Sequence, residues 1–201
     1  MKKDSIAYVV AFTFVACAAF IAPLALANEG TKGRVEANRL FASRSAVLRA
    51  FGVAYEGQAD AEAKYASLVA ELPGGRGWRA ELDGASYLAV KRSGAGLWGT
   101  ITMVVAADAR GERLRGLEIL DQQETPGLGG RIDEAWFKEQ FRGERLGPAG
   151  VVVDQAGTGK GDPDRENGRV DAVTGASRTS GFVQAIVNAA VAEIRAAGGS
   201  K

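Results

Sequence analysis

The sequence predicts an α+β fold: one N-terminal transmembrane helix, then a domain in which an antiparallel sheet is flanked by helices. Three observations carry this reading. The run from Ile6 to Ala27 contains no charged residue. Short strand-like segments follow one another with tight turns between them, which marks antiparallel pairing and not βαβ units. The segment from Thr179 to Ala197 bears one broad apolar stripe at helical spacing, as a helix lying against a sheet requires.

The N-terminal run comes first. At about 1.5 Å per residue it reaches roughly 33 Å, enough to cross a hydrocarbon core. A cleaved secretory signal is the competing reading, because Ala25-Leu26-Ala27 resembles a small-residue cleavage site and cleavage there would leave Asn28 first. The apolar run is longer than the roughly 7–15 residues of a signal core, so a retained single-pass anchor is expected. Pro23 stands near its outer end, where a helix break costs little. A lipoprotein reading of Phe14-Val15-Ala16-Cys17 fails, since the apolar run continues well past the Cys. Flanking charge is a weak guide to topology, because Lys32, Arg34 and Arg39 follow the span just as Lys2 and Lys3 precede it. Anchor or signal, the remainder lies outside the cytoplasm. The expected division is 1–30 as membrane anchor, 31–75 as a helical linker region and 76–201 as the folded domain.

Composition narrows the chemistry. The 201 residues suit one compact domain with extras, 46% are hydrophobic and 24% charged, and the net charge of +1 gives no reason to expect nucleic acid. With no His and one Cys, Cys17, inside the apolar run, neither a His base, a disulfide framework nor a Cys-based metal site is available within the chain. Redox or transfer chemistry must therefore come from a bound cofactor.

Along the chain, Leu40, Phe41, Val47, Leu48 and Phe51 repeat at helical spacing and stop at Gly52, a plausible C-cap. A second helix is expected from about Ala59 to Leu72, ended by Pro73-Gly74-Gly75. Strands are expected at Trp78–Leu82, Tyr87–Lys91, Ile101–Ala107 and Leu114–Leu120, the last two joined by a hairpin turn at Arg110-Gly111. A short helix at Ala135–Phe141, a strand at Val151–Val153 and a polar loop at Gly157–Gly168 precede the final helix. In that helix Phe182, Val183, Ile186, Val187, Ala190, Val191 and Ile194 form the stripe.

Two uncommon stretches stand out. Asp171-Ala-Val-Thr-Gly-Ala-Ser177 gathers a carboxylate, two hydroxyls and a Gly-Ala step just before the amphipathic helix. Backbone N–H groups at a helix start favour a phosphate, and a hydroxyl there can also be esterified to one. Taken alone, the stretch is a strand end turning into a helix, with Ser177 or Thr179 as N-cap. Glu124-Thr-Pro-Gly-Leu-Gly-Gly130 is at minimum a turn after a strand, yet its carboxylate, hydroxyl and single Leu exceed what a turn requires. Gly94-Ala95-Gly96-Leu97-Trp98-Gly99 is either a hairpin turn whose Leu97 and Trp98 enter the core or an apolar wall for a planar ring. Gly157–Gly161 lacks the spacing of a phosphate loop and precedes no helix, so a flexible surface loop is expected there.

In this order the motifs resemble the FMN-binding subunit of the Nqr/Rnf family. Its FMN-binding domain is shared by two membrane complexes, the sodium-translocating NADH:quinone oxidoreductase (Nqr) and the Rnf ferredoxin:NAD oxidoreductase. The likeness extends from the Lys-Lys-Asp-Ser start and membrane helix through G-x-G-L-W-G and E-T-P-G-L-G-G to D-x-x-(S/T)-G-A-(T/S). It implies FMN held through a phosphoester on the last hydroxyl of the third motif, here Ser177, installed by a separate flavin transferase. The family usually has Thr there; serine keeps the nucleophilic hydroxyl, and attachment is expected. By the same resemblance Asp171, Thr174, Gly175 and Ala176 match the transferase recognition motif. Glu124, Thr125, Leu128 and Gly129 match the loop against the flavin, and Leu97 and Trp98 would wall the ring. The implied protein is an electron-transfer flavoprotein subunit of an ion-translocating respiratory membrane complex, extracytoplasmic and single-pass. Its partners would be other Nqr- or Rnf-type subunits and the transferase, with no metal, no nucleic acid and no active site of its own toward a diffusible substrate. A free-standing extracytoplasmic flavoprotein and a non-redox binding module are the alternatives.

Overall fold

This computed structural model describes residues 5–75 and 77–199, so the charged start at Met1-Lys2-Lys3 lies outside the described residues. Helix α1 runs Ile6–Ala50 and continues through Pro23. The chain divides into two compact units, one up to Phe41 and one from Ala42 onward. In the first, Val9, Phe12, Phe14, Val15, Phe20, Ile21, Leu24 and Leu26 are all exposed, so this apolar stretch has no protein core to enter. By length and composition it can cross a membrane, and the protein is single-pass and membrane-anchored.

The second unit is built on a five-stranded antiparallel sheet in sequential order: β1 (Val69–Glu71), β2 (Trp78–Leu82), β3 (Ala85–Ala95), β4 (Thr100–Asp108) and β5 (Leu114–Asp121). Helix α2 spans Gly57–Leu68, shorter than the expected Ala59–Leu72. Its last residues peel off as β1, because Val69, Ala70 and Glu71 pair with Ala80, Arg79 and Trp78. Pairing with the next strand across the Pro73–Gly75 turn thus overrides the helical pattern. The strand expected at Trp78–Leu82 has those bounds, the next three are present and longer, and the β4–β5 turn closes at Arg110-Gly111 with Gly111 at φ +64°. There the Asp108 carboxylate accepts hydrogen bonds from the N–H groups of Arg110, Glu112 and Arg113.

Pleating sends alternate residues to opposite faces of the sheet. One face carries Leu88, Val90, Ile101, Met103, Val105, Ala107, Leu117 and Ile119, all in the main core with Val183, Ile186, Val187, Ala190, Val191 and Ile194 of α4 (Ser177–Gly198). The apolar stripe thus does what its spacing predicts. On the other face Ala80, Ala89, Val104 and Ala106 are buried too. There the end of α1 is fastened to β5: Arg115 Nε donates to Phe51 O at 2.8 Å, and Arg49 pairs with Glu118 at 3.5 Å. A side chain at Gly116 would lie 2.8 Å from Ala50 O, so that position has no room for one. Val47, Leu48, Ala50 and Phe51 are fully buried. The stretch expected as a linker therefore divides, its part beyond Ala42 belonging to the compact unit.

After β5 the chain forms a 3-10 turn (Gly129–Asp133) and α3 (Ala135–Glu139), which buries Phe137. Two short parallel strands follow, β6 (Val152–Asp154) and β7 (Arg169–Asp171), bridging the polar loop. β7 ends at Asp171, so it delivers the segment Ala172–Ala176 to the start of α4.

Candidate functional site

The two uncommon stretches and the Gly94–Gly99 turn are joined at one end of the sheet, next to the N-terminus of α4. Ser177 is the first helical residue and is exposed. The N-cap position is Ala176, with no side-chain cap, so neither Ser177 nor Thr179 caps the helix. The helix start therefore offers N–H groups and a positive dipole end beside a free hydroxyl, the chemistry that holds a phosphate. Exposed Arg178 adds a cation one residue on.

The segment leading to Ser177 is fixed from below. Ser180 Oγ accepts from Val173 N and donates to Ala176 O, both at 3.0 Å. Buried Gln140 of the turn after α3 donates through Nε2 to Asp171 O and accepts from Asp171 N. The Asp171 carboxylate is itself buried, accepting from Thr158 Oγ1 at 2.7 Å and Gly159 N at 3.1 Å. Gly159, at φ +69°, sits so close to Thr174 that a side chain there would meet Thr174 Oγ1 at 2.1 Å. The Gly157–Gly161 loop, expected to be a flexible surface loop, is thus tied down against Asp171 and Thr174, with Lys160 exposed beside it. Behind it, the Arg169 guanidinium bonded to Asp154 at 2.7 Å, aided by Ala156 N–H, holds the Asp154 carboxyl below the usual carboxylate range.

Thr174 and Gly175 are exposed, and Ala176 is buried. The Glu124–Gly130 loop reaches the same place. Leu128, 49% exposed, has Cδ2 3.6 Å from where a Gly175 side chain would begin. Thr125 is exposed, and its carbonyl accepts from Leu128 N and Gly130 N, folding the loop back on itself. Leu97 and Trp98 do not enter the core: they are 42% and 70% exposed. Leu128 beside Gly175, the exposed Leu97–Trp98 pair joined to α4 through Glu124, and the hydroxyl at the helix N-terminus together fit a flat aromatic ring bearing a phosphate tail.

Two of the expected ring contacts are placed differently. Glu124 is 5% exposed, and both its oxygens are engaged by the protein: Oε1 accepts from Leu97 N at 2.8 Å and Trp98 N at 3.1 Å, and Oε2 from Thr179 Oγ1 at 2.5 Å. Gly129 is buried, and a side chain there would meet Glu124 Oε2 and Thr179 Oγ1, each at 2.8 Å. The space its missing side chain leaves is filled by that pair. Thr179, Gln140 and Thr158 are the residues that sequence reasoning missed. Each is an ordinary polar residue whose partner lies far along the chain, 55 positions away for Thr179. The one local signal is that a hydroxyl stands on the buried side of α4.

Residues 96–192, just under half of the chain, match the family model of the FMN-binding domain. Among curated proteins, the NqrC protein of the Na(+)-translocating NADH-quinone reductase from Neisseria meningitidis serogroup A is 40% identical over 92 residues, 45% of this chain and 35% of that protein. Its counterpart from Vibrio anguillarum is 36% identical over 107 residues, 51% of this chain and 40% of that protein. These matches thus span 35–40% of the length of those relatives. Among solved structures, the corresponding protein of Parabacteroides distasonis superposes with a TM-score of 0.65 at 23% identity, over 79% of this chain and 92% of that one. Shewanella oneidensis NqrC superposes at 0.61 and 17% identity, over 76% and 96%. At those identities the superpositions show the fold.

Proposed function

We infer that this chain, whose residues 96–192 belong to the FMN-binding domain family, is the electron-transfer flavoprotein subunit of an ion-translocating respiratory membrane complex. The curated relatives named above are components of the sodium-translocating NADH-quinone reductase, which favours that complex over the Rnf type. The observation that carries the reading is the exposed Ser177 at the start of an uncapped 22-residue helix whose first turn is joined, through Thr179 and Glu124, to the exposed Leu97–Trp98 pair.

When bound, FMN supplies reversible electron uptake and release. Ser177 Oγ would hold its phosphate as a phosphoester. The N–H groups at the start of α4 and Arg178 offset the phosphate's charge. Leu128, Leu97 and Trp98 shield the ring, and Thr125 offers a hydroxyl to ring or ribityl oxygens. None of these side chains needs to act as acid or base toward a diffusible substrate. Covalent attachment also suits an extracytoplasmic location, where FMN lost by dissociation could not be drawn again from the cell's pool. The partners are then the neighbouring membrane subunits and the transferase.

The test is direct. Coexpressed with a flavin transferase, the chain should give an ultraviolet-fluorescent band on a denaturing gel and an intact mass raised by one FMN moiety. Ser177→Ala should abolish both, and Ser177→Thr should label at least as fully as the native residue. Label persisting on Thr174 or Thr179 in Ser177→Ala would overturn the assignment.

A further inference from the structure

We propose that Glu124 is a positioning residue: with Thr179 it forms a buried clamp that sets the Leu97–Trp98 wall relative to the start of α4, instead of meeting the ring itself. This rests on the flavin reading above for its functional meaning, though not for its geometry.

Three donors from two distant stretches converge on one carboxylate, and its location explains the glycines around it. A side chain at Gly96 would meet Glu124 Oε1 at 2.6 Å, and one at Gly129 would meet Oε2 at 2.8 Å. Glu124 N in turn donates to Gln122 Oε1 at 2.7 Å, steadying the turn that carries the carboxylate. The carboxylate is therefore sealed by backbone on two sides, by Thr179 on a third, and is 5% exposed. Hydrogen bonds to charged groups are worth more than neutral ones, and a buried polar group stripped of its partner costs more still. Leu97 and Trp98 form the exposed tip of the β3–β4 hairpin, closed by Gly96 N donating to Gly99 O at 2.7 Å, and these two N–H bonds tie that tip to Glu124. Thr179 lies two residues past Ser177 on the same first turn of α4. The clamp thus links the wall to the turn that carries the attachment point. All three donors to the carboxyl group are uncharged, so replacing it with the neutral amide of Gln alters the field at a nearby ring while keeping an acceptor for the two N–H groups.

Four variants of the full chain, made with and without a flavin transferase, decide the matter. Without the transferase, hydrogen exchange at the Leu97 and Trp98 amides is read. Thr179→Val, which touches neither amide, should speed both by about tenfold, as loss of a cooperating buried hydrogen bond does, while Thr179→Ser restores protection. Exchange at Leu97 and Trp98 unchanged in Thr179→Val would overturn the clamp, whether or not FMN is ever bound. With the transferase, Glu124→Gln should keep the two N–H bonds, load FMN and shift its midpoint potential. Glu124→Ala should load several-fold less FMN while its far-ultraviolet circular dichroism stays native. A native potential in Glu124→Gln, with native loading in Glu124→Ala, would show that the carboxylate does not position the flavin site. A wild-type chain that takes no FMN would refute the flavin reading and leave the exchange result to decide the clamp.

Discussion

Glu144 shows how a single residue couples burial to pH. It is fully buried; Oε1 accepts from Gly168 N at 2.7 Å, while Oε2 has no hydrogen-bond partner among the described residues. Burial pushes its carboxyl above the usual glutamate range, and the Gly168 N–H offsets only part of that. A carboxyl raised in the folded state favours the protonated form. Its contribution is fully present below the unfolded value and is lost as pH rises through the folded one. Glu144→Gln keeps the acceptor and removes the titration. The stability difference between wild type and this variant, measured by urea unfolding, should therefore move in the variant's favour as pH is raised from about 4 to 7. A difference that stays constant over that range would contradict the burial argument.

At the scale of elements, the contact between α4 and β3 leaves little spare volume. A side chain at Gly94 would lie 2.5 Å from Ile186 Cγ1, and Ile186 is itself buried. Overpacking of this kind costs about 1–3 kcal/mol. Gly94→Ala should lower stability by that order in chemical denaturation. Combining it with Ile186→Ala, which removes the Cγ1 that the new side chain would meet, should cost less than the sum of the two changes. Additive losses would mean that strand and helix move apart freely. The pairing of β1 with β2 makes the complementary point. Val69–Glu71 continues a helical pattern in sequence, and the partner that pulls it into the sheet, Trp78–Ala80, comes only after the Pro73–Gly75 turn. The hairpin partner, not the helical periodicity, decides the state of these three residues.

For the whole molecule, the division at Phe41/Ala42 sets what can be removed. Deleting residues 1–41 should release a soluble, folded domain with cooperative thermal unfolding. The full chain should stay with membranes through high-salt and alkaline washes. Deleting through Phe51 should instead give an unfolded or aggregating product, because Val47, Leu48 and Phe51 are fully buried and each such side chain contributes about 1.5–3 kcal/mol. A stable domain lacking residues 1–51 would show that the end of α1 is dispensable cover.

The sequence by itself determined the elements whose signal is local and periodic. The charge-free run to Ala27 sets the membrane helix, since length and absence of charge are enough. The stripe from Phe182 to Ile194 sets α4, and the strand and turn residues from Trp78 to Leu120 set an antiparallel meander, because each of its turns joins neighbours in the chain. The motifs also placed Ser177, Leu128, Leu97 and Trp98 in one neighbourhood by resemblance. What only the tertiary structure decided is which way the polar residues of those motifs face. Glu124 and Asp171 read in the sequence as groups offered to a ligand or a transferase, yet both are buried and engaged by the protein. The reason is physical. A carboxylate leaves solvent only where donors converge on it, and here the donors come from Leu97, Trp98 and Thr179 for one and from Thr158 and Gly159 for the other. Those residues are brought together only when the sheet, the polar loop and α4 have closed on each other.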